Sequence, residues 1–387
     1  MRRGPTGTYE ISTANGEVVR AFVPAPLPPE PPLEFSRARQ HRLERAILSL
    51  GKLDSVTLLL PEPDIFLYAY VRREAVLSSQ IEGTQSSFSD LLLFELKEAP
   101  GVPFDDVVEV SNYVAALEHG VHRLAEGFPL CNRLLREMHA KLLSRGRGST
   151  KSPGEFRRSQ NWIGGTRPGN ALFVPPPPQR VEGCMSDLER FLHDDRCPYP
   201  TLVKAALAHV QFETIHPFLD GNGRLGRLLI SFILHHEGLL SKPLLYLSLY
   251  FKQHREQYYR LLDTVRREGD WEQWVDFFLE GVELTAINAV QTARRLVELF
   301  KNDEARIQGL GRSAGNVLRA HQVLCRRPLI AINEVREQTG LSYPTASKCI
   351  ETLERLGIVH ELTGRKRNRI YAYGRYIEIL NEGAEPL

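Results

Sequence analysis

Between about residues 38 and 299, apolar side chains recur three and four positions apart, as at Leu43, Ile47 and Leu48 and again at Val114, Leu117, Val121 and Leu124. That spacing lays an apolar stripe along each segment and predicts a succession of amphipathic helices. The main interruption is SPGEFRRSQNWIGGTRPGNALFVPPPP, where Gly, Pro and Asn surround two short β-prone pieces at 161–163 and 172–174. It predicts a hairpin flap over 161–175 that projects from the helices. Residues 1–35 contain the proline-dense run PAPLPPEPPLEF, which predicts an extended, polyproline-like arm over the body with no site of its own. A long helix should end near Phe300, after which KNDEARIQGLGRSAG reads as a linker over 301–312. Then a helix at 331–338, a turn at 339–342, a helix at 343–356 and strands at 359–362 and 370–373 follow the order of a winged helix. The expected fold class is mainly α: a helical domain over 36–300 with a β-hairpin flap, followed by a small α+β winged-helix domain over 313–387.

A chain of 387 residues, 42% of them hydrophobic, can bury the cores this organisation needs. Its 49 Lys plus Arg nearly cancel 47 Asp plus Glu, and the net charge of +2 excludes a global field of the kind that coats nucleic acid or a membrane surface. Any basic patch is local. Five widely spaced cysteines without a CxxC suggest neither a disulfide framework nor a zinc site, and fit a reducing cytoplasm. The opening MRRGPTGTYEIST has no apolar signal core, and the apolar stretch 228–234 is too short to cross a bilayer. A cytoplasmic protein with no membrane partner is expected.

Candidate chemistry concentrates in HPFLDGNGRLGR at 216–227, between two apolar helical segments. Gly221, Asn222 and Gly223 open a helix, where glycine lets backbone N–H groups turn toward a ligand and the helix dipole favours an anion. Asp220 can hold a hard divalent cation that bridges phosphates. Arg224 and Arg227 are three apart, share a helix face and could both reach polyphosphate oxygens. His216, with a near-neutral pKa, suits a general base for a hydroxyl nucleophile attacking phosphorus. No Walker A loop is present.

This string resembles the Fic signature, HPFx[DE]GNGRxxR, at every fixed position, and the similarity extends to QNWIGG upstream and LSLYFKQHREQYYRLLDTVRREGDWEQW downstream. The resemblance implies a Fic-type helical fold and a protein adenylyltransferase that moves AMP from ATP, with Mg2+, to a Ser, Thr or Tyr hydroxyl of a target protein or of itself. It implies that His216 deprotonates the acceptor, Asp220 binds magnesium, Gly221, Asn222 and Gly223 hold the α and β phosphates, and Arg227 grips the γ-phosphate. Tyr258 resembles a nucleotide-pocket tyrosine, and His254 stands in that pocket where an asparagine is expected; Gly165 and Thr166 of the flap are expected at the nucleotide as well. SSQIEG at 78–83 fits the family's inhibitory pattern [ST]xxxE[GN]. In it, a helix over 75–83 with Ser78 presents Glu82 to Arg227 and fills the space the γ-phosphate needs. The flap is expected to dock an extended target segment by strand addition.

Residues 312–387 carry 12 Lys plus Arg against 8 Asp plus Glu, with Arg365, Lys366, Arg367 and Arg369 at the tip of the wing. This domain could place Ser342, Thr345, Ser347 and Lys348 against DNA or dock a protein, and a homodimer stays open. Two function classes remain: a regulated AMP transferase, in which Glu82-dependent removal of AMP is a variant activity, and a DNA-binding regulator whose Fic domain senses nucleotide.

Overall fold

A computed structural model describes residues 2–59, 63–96, 104–365 and 368–384. Strands β1 (Gly7–Ala14) and β2 (Glu17–Pro24) pair antiparallel around Asn15 and Gly16, whose φ values are 49° and 81°. The N-terminal arm is therefore a β-hairpin over these residues rather than an extended polyproline-like run. Alternating β-branched and polar residues around an Asn-Gly turn decide the local structure, and the prolines lie beyond it. The arm does lie over the body: the Gly4 and Thr6 amides donate to the Glu268 and Arg266 carbonyls at 3.0 Å, and Arg3 bonds Glu272 at 2.7 Å.

The helical body comprises α1 (Arg37–Leu59), α2 (Pro63–Ile81), α3 (Phe88–Glu95), α4 (Phe104–Ala125), α5 (Asn132–Leu142) and α6 (Pro178–Leu192). It continues with α7 (Thr201–Ile215), α8 (Asn222–His236), α9 (Ser248–Gln253), α10 (Arg255–Glu268) and α11 (Trp271–Gln308). At its centre α7, buried at every residue from Leu202 to Ile215, packs on α8. A helix enclosed on all sides can hold the loop at its end rigidly. Outside this pair, α1 and α11 run parallel and are joined by Arg39–Asp276, Arg42–Glu280 and Arg45–Glu283 at 2.9, 3.5 and 3.1 Å. The buried stripe of α1 is Leu43, Ala46, Leu50 and Leu53, whereas Ile47 and Leu48, expected on it, are 40% and 60% exposed.

The expected linker is largely helix, because α11 continues to Gln308. Asp303 and Ile307, one turn apart, are buried, and the Tyr373 hydroxyl donates to Asp303 Oδ2 at 2.6 Å, so this stretch packs on the C-terminal unit. That unit comprises α12 (Ala314–Arg326), β3 (Leu329–Ala331), α13 (Ile332–Thr339), α14 (Tyr343–Arg355), β4 (His360–Glu361), β5 (Ile370–Ala372) and α15 (Gly374–Asn381). The strands form an antiparallel sheet in the order β3-β5-β4. Ser342 caps α14 through the Thr345 amide. Of the basic tip, Lys366 and Arg367 lie outside the described residues. The unit rests on the body where α12 and α15 meet α2 and α11. The fold is mainly helical, as expected, and among the described residues no helix is long and apolar enough to cross a membrane.

Candidate functional site

The loop between α7 and α8 carries the candidate chemistry. His216 ends α7 in the left-handed region (φ 50°, ψ 60°), its amide bonded to the Phe212 carbonyl at 2.9 Å. A non-glycine residue holds that conformation only where its surroundings impose it. Here Arg157 does so, donating Nε to the His216 carbonyl at 2.9 Å while its own amide bonds the Pro217 carbonyl at 2.9 Å. The residue as a whole is half-buried, yet its ring is packed deeply enough that burial, then Arg157 and Arg266, push the imidazole down to about 3. Nδ1 is buried and makes no well-formed hydrogen bond, and the Glu213 backbone raises the imidazole only slightly against that burial. The imidazole is neutral and able to accept a proton at neutral pH.

Downstream, the loop is closed by Asn222, whose side chain accepts from the Phe218 amide and donates to the Phe218 carbonyl, both at 2.9 Å. Gly221 turns into α8 with φ 75°, and a Cβ there would meet Leu142 at 3.2 Å. His139, stacked on Phe218 at 3.7 Å, accepts the Gly154 amide on Nδ1 and therefore donates Nε2–H to the Asp220 carbonyl at 2.9 Å. Burial pushes His139 down to about 4. No side chain caps the N-terminus of α8. The amides there are left to a ligand or to water.

Facing that helix start is Glu82, just past the end of α2. A Cβ on Gly223 would lie 2.3 Å from Glu82 Oε1, and the same oxygen accepts from Arg227 Nη2 at 2.8 Å. Arg227 is also held by Ser78, through its hydroxyl at 2.9 Å and its carbonyl at 2.8 Å. Burial opposes ionisation of Glu82, but Arg227, then Arg224, outweigh it and hold the carboxyl below its usual range. Arg227 is fully buried, and Glu82 holds it above its ordinary value against that burial.

Several expected site residues lie elsewhere. Arg224 does not share an open face with Arg227: it is buried, 2.7 Å from Glu109 Oε1 of α4 and 3.5 Å from Asp220 Oδ1. A guanidinium in the interior takes the carboxylates within reach. The Asn222 side chain serves loop closure, which leaves its backbone for a ligand. Tyr258 is core, its hydroxyl bonded to His209 at 2.9 Å, while the adjacent Tyr259 is 41% exposed and lies in the field of Glu82 and Arg227. The His254 ring packs tilted against Tyr250, centroids 4.5 Å apart, and lines a cavity with Arg73, Glu74 and Asn288. In the flap, Ile163 and Phe173 bridge, Gly165 turns with φ 73°, and the Thr166 amide bonds Asn170 at 3.0 Å. Gly165 and Thr166 thus shape the tip, whereas Asn161 ties the flap base to the Phe218 carbonyl at 3.1 Å. The flap does not project freely: the Phe22 amide of β2 donates to the Val174 carbonyl at 2.9 Å, and Glu17 bonds Arg167 and the Gly169 amide.

His139, Arg157 and Glu109 were not legible as site residues, since their sequence neighbourhoods carry no motif, and Tyr259 stands in a matching stretch where only packing tells it from Tyr258. Among the described residues no three His, Cys, Asp or Glu gather to hold a metal. Asp220, with a third of its side chain exposed (34%), is the carboxylate of the loop at the helix start, where Glu82 is already engaged by Arg227. That donor set suits Mg2+, which takes one or two carboxylates and fills its remaining positions with phosphate and water.

A neutral histidine with a deeply packed ring, the Asp220 carboxylate and a helix start with no side-chain cap beside a buried arginine come together around one loop of a mainly helical protein. Residues 40–122 match the Fic/DOC family N-terminal domain and residues 129–234 the Fic/DOC family domain, and the chain belongs to that family. It is 32% identical over 186 residues to a protein adenylyltransferase Fic of Drosophila ananassae, covering 48% of this chain and 34% of the relative. Against the protein of the same name from Aedes aegypti the identity is 37% over 150 residues, covering 38% and 27%. The chain thus spans about a third of the length of the curated relatives it matches. A Fic family protein from Desulfovibrio desulfuricans G20 shares the fold with a TM-score of 0.59 at 21% identity, over 89% of this chain and 98% of the other. Fic-1 from C. elegans aligns with a TM-score of 0.52 at 22% identity, over 66% and 74%.

Proposed function

We propose that this chain transfers AMP from ATP to a hydroxyl side chain of a protein, its own included, and that Glu82 holds the transfer off. The carrying observation is the Glu82 carboxylate over Gly223, an anion of the protein's own at the start of α8 and against Arg227. A carboxylate there marks where phosphate would bind. With ATP seated, the α8 amides would take phosphate oxygens and Arg227 the γ-phosphate. His216 would accept the acceptor proton, on the ring nitrogen opposite Nδ1, as the hydroxyl oxygen bonds to the α-phosphorus. The bond from that phosphorus to the bridging oxygen breaks, and pyrophosphate leaves. Asp220 would hold Mg2+, which supplies positive charge to the polyphosphate when bound.

The curated relatives bear the name protein adenylyltransferase Fic, which supports this reading. The helix and strand order of residues 313–384 supports a winged helix. Its α14 surface mixes Lys348 and Arg355 with Glu351 and Glu354, which favours a protein partner over a DNA groove. Intact-mass spectrometry after incubating the Glu82→Gly protein with ATP and Mg2+ tests the activity. Adducts of one AMP are expected, and an unchanged mass with and without candidate protein acceptors refutes it.

A further inference from the structure

Glu82 can inhibit only where α2 places it, so the contacts that hold α2 matter. From residue 69 to residue 81 it is buried on every side, and Arg72, Arg73, Glu74, Ser78, Ser79 and Gln80 are buried among its apolar residues. Buried polar groups need partners, and those partners fix the helix in one register. Some come from the body: Ser78 meets Arg227, Glu74 accepts from Tyr113 and Ser248, and Lys252 donates to Gln80 Oε1 at 2.7 Å. Two come from the segment just past α15. Arg73 Nη2 donates to the Glu382 carbonyl at 2.7 Å, and Gln80 Nε2 to the Ala384 carbonyl at 3.1 Å.

Arg73 and Gln80 are seven residues apart, two helical turns, and so lie on one face of α2. Glu82 is two residues beyond the second of them. The segment is itself seated: Glu382 forms a two-pronged pair with Arg295 of α11 at 2.6 Å on each arm, and Ala384 is buried. Between them Gly383 has φ 77°, a conformation open to glycine, and a Cβ there would meet Leu249 at 3.2 Å. That turn lets the carbonyls on both sides reach the same helix.

We infer that residues 382–384 form a clamp on α2, with Arg73 and Gln80 as positioning residues that keep Glu82 against Arg227. Because α12 and α15 also pack on α2, the C-terminal unit carries the clamp and couples its own docking to the state of the site. This inference rests on the inhibitory reading of Glu82. None of the clamp residues belongs to the loop that would bind ATP, so breaking the clamp should raise activity, whereas a merely structural contact would lower it.

The test uses the full chain carrying Gly383→Val, Arg295→Glu, or Arg295→Glu with Glu382→Arg. Two quantities are read: label transferred from α-labelled ATP, and hydrogen exchange at the amides of residues 74–83. Gly383→Val should raise labelling roughly threefold to tenfold, the scale of one or two lost hydrogen bonds, and should speed exchange in the last turns of α2. Arg295→Glu should act in the same direction, and the reversed pair should return both readouts toward wild type. Added to Glu82→Gly, Gly383→Val should bring no further gain. Unchanged exchange in Gly383→Val and Arg295→Glu overturns the clamp, as does a gain of equal size in the Glu82→Gly background. If exchange rises but Glu82→Gly itself fails to activate, the inhibitory reading is the one that falls, and the regulatory inference with it.

Discussion

Replacing Glu82 with glycine should switch the transfer on, and the geometry sets the size of the effect. Glu82 Oε1 lies 2.8 Å from Arg227 Nη2; the arginine is buried and the carboxylate side chain is 33% exposed. A charge-assisted contact of this kind contributes about 1.5 to 3 kcal/mol, and the exposed third argues for the lower half of that range. A carboxylate at a helix start adds about 0.3 to 1 kcal/mol. An incoming γ-phosphate must displace both. Their sum, about 2 to 3 kcal/mol, corresponds to roughly thirtyfold to 150-fold more transfer at subsaturating ATP. Arg227 keeps its two contacts to Ser78, so it should stay in place to receive the phosphate. Glu82→Gln should activate less, because an amide still fills the space over Gly223. Transfer of label from α-labelled ATP, followed at low ATP for wild type, Glu82→Gln and Glu82→Gly, reads the effect directly. Equal initial rates in wild type and Glu82→Gly would refute the reasoning, and so would activation by Gln as large as that by Gly.

His216→Ala in the Glu82→Gly background should lower labelling by about a hundredfold to ten-thousandfold while ATP affinity by calorimetry stays within a few-fold, since His216 is assigned to the acceptor proton; parallel loss of affinity would reassign it to phosphate. Stability should fall with acid: His209 and His216 are pushed down to about 3 and His139 and His321 to about 4, each by burial. Below about pH 6.5 the unfolded chain takes up these protons and the folded chain does not, so stability drops as pH falls from about 6.5 toward 4. Glu74 and Glu213, raised to about 7 by burial, act oppositely between about pH 4.5 and 7, but two such groups are outweighed by four histidines. A thermal midpoint that rises from pH 7 to pH 5 would contradict this assignment.

How much of this was legible in the sequence depends on where each contact draws its partners. The 216–227 loop could be read because its histidine, acid, glycines and arginines are contiguous. SSQIEG was readable once that loop was known, and the Glu82–Arg227 contact sits where the two motifs required it. Spacing went wrong where a partner decides. A spacing of three positions puts Arg224 and Arg227 on one side of α8, but Glu109, from a helix more than a hundred residues earlier, draws Arg224 inward. Tyr258 and Tyr259 are neighbours about 100° apart around α10, and only the packing of His209 shows which one is core. The hairpin at 7–24 had a local signal, Asn15-Gly16 between β-branched runs, that the prolines downstream obscured. The linker was misread because glycines at 309 and 311 mark where α11 stops, not where it weakens. The contacts from residues 382–384 to Arg73 and Gln80 had no readable form at all. They are accepted by backbone carbonyls, which every residue carries, so residue identity records nothing of the coupling. The sequence does record Gly383 there, and a lone glycine between Glu382 and Ala384 reads as an ordinary turn until its φ and its neighbours are known.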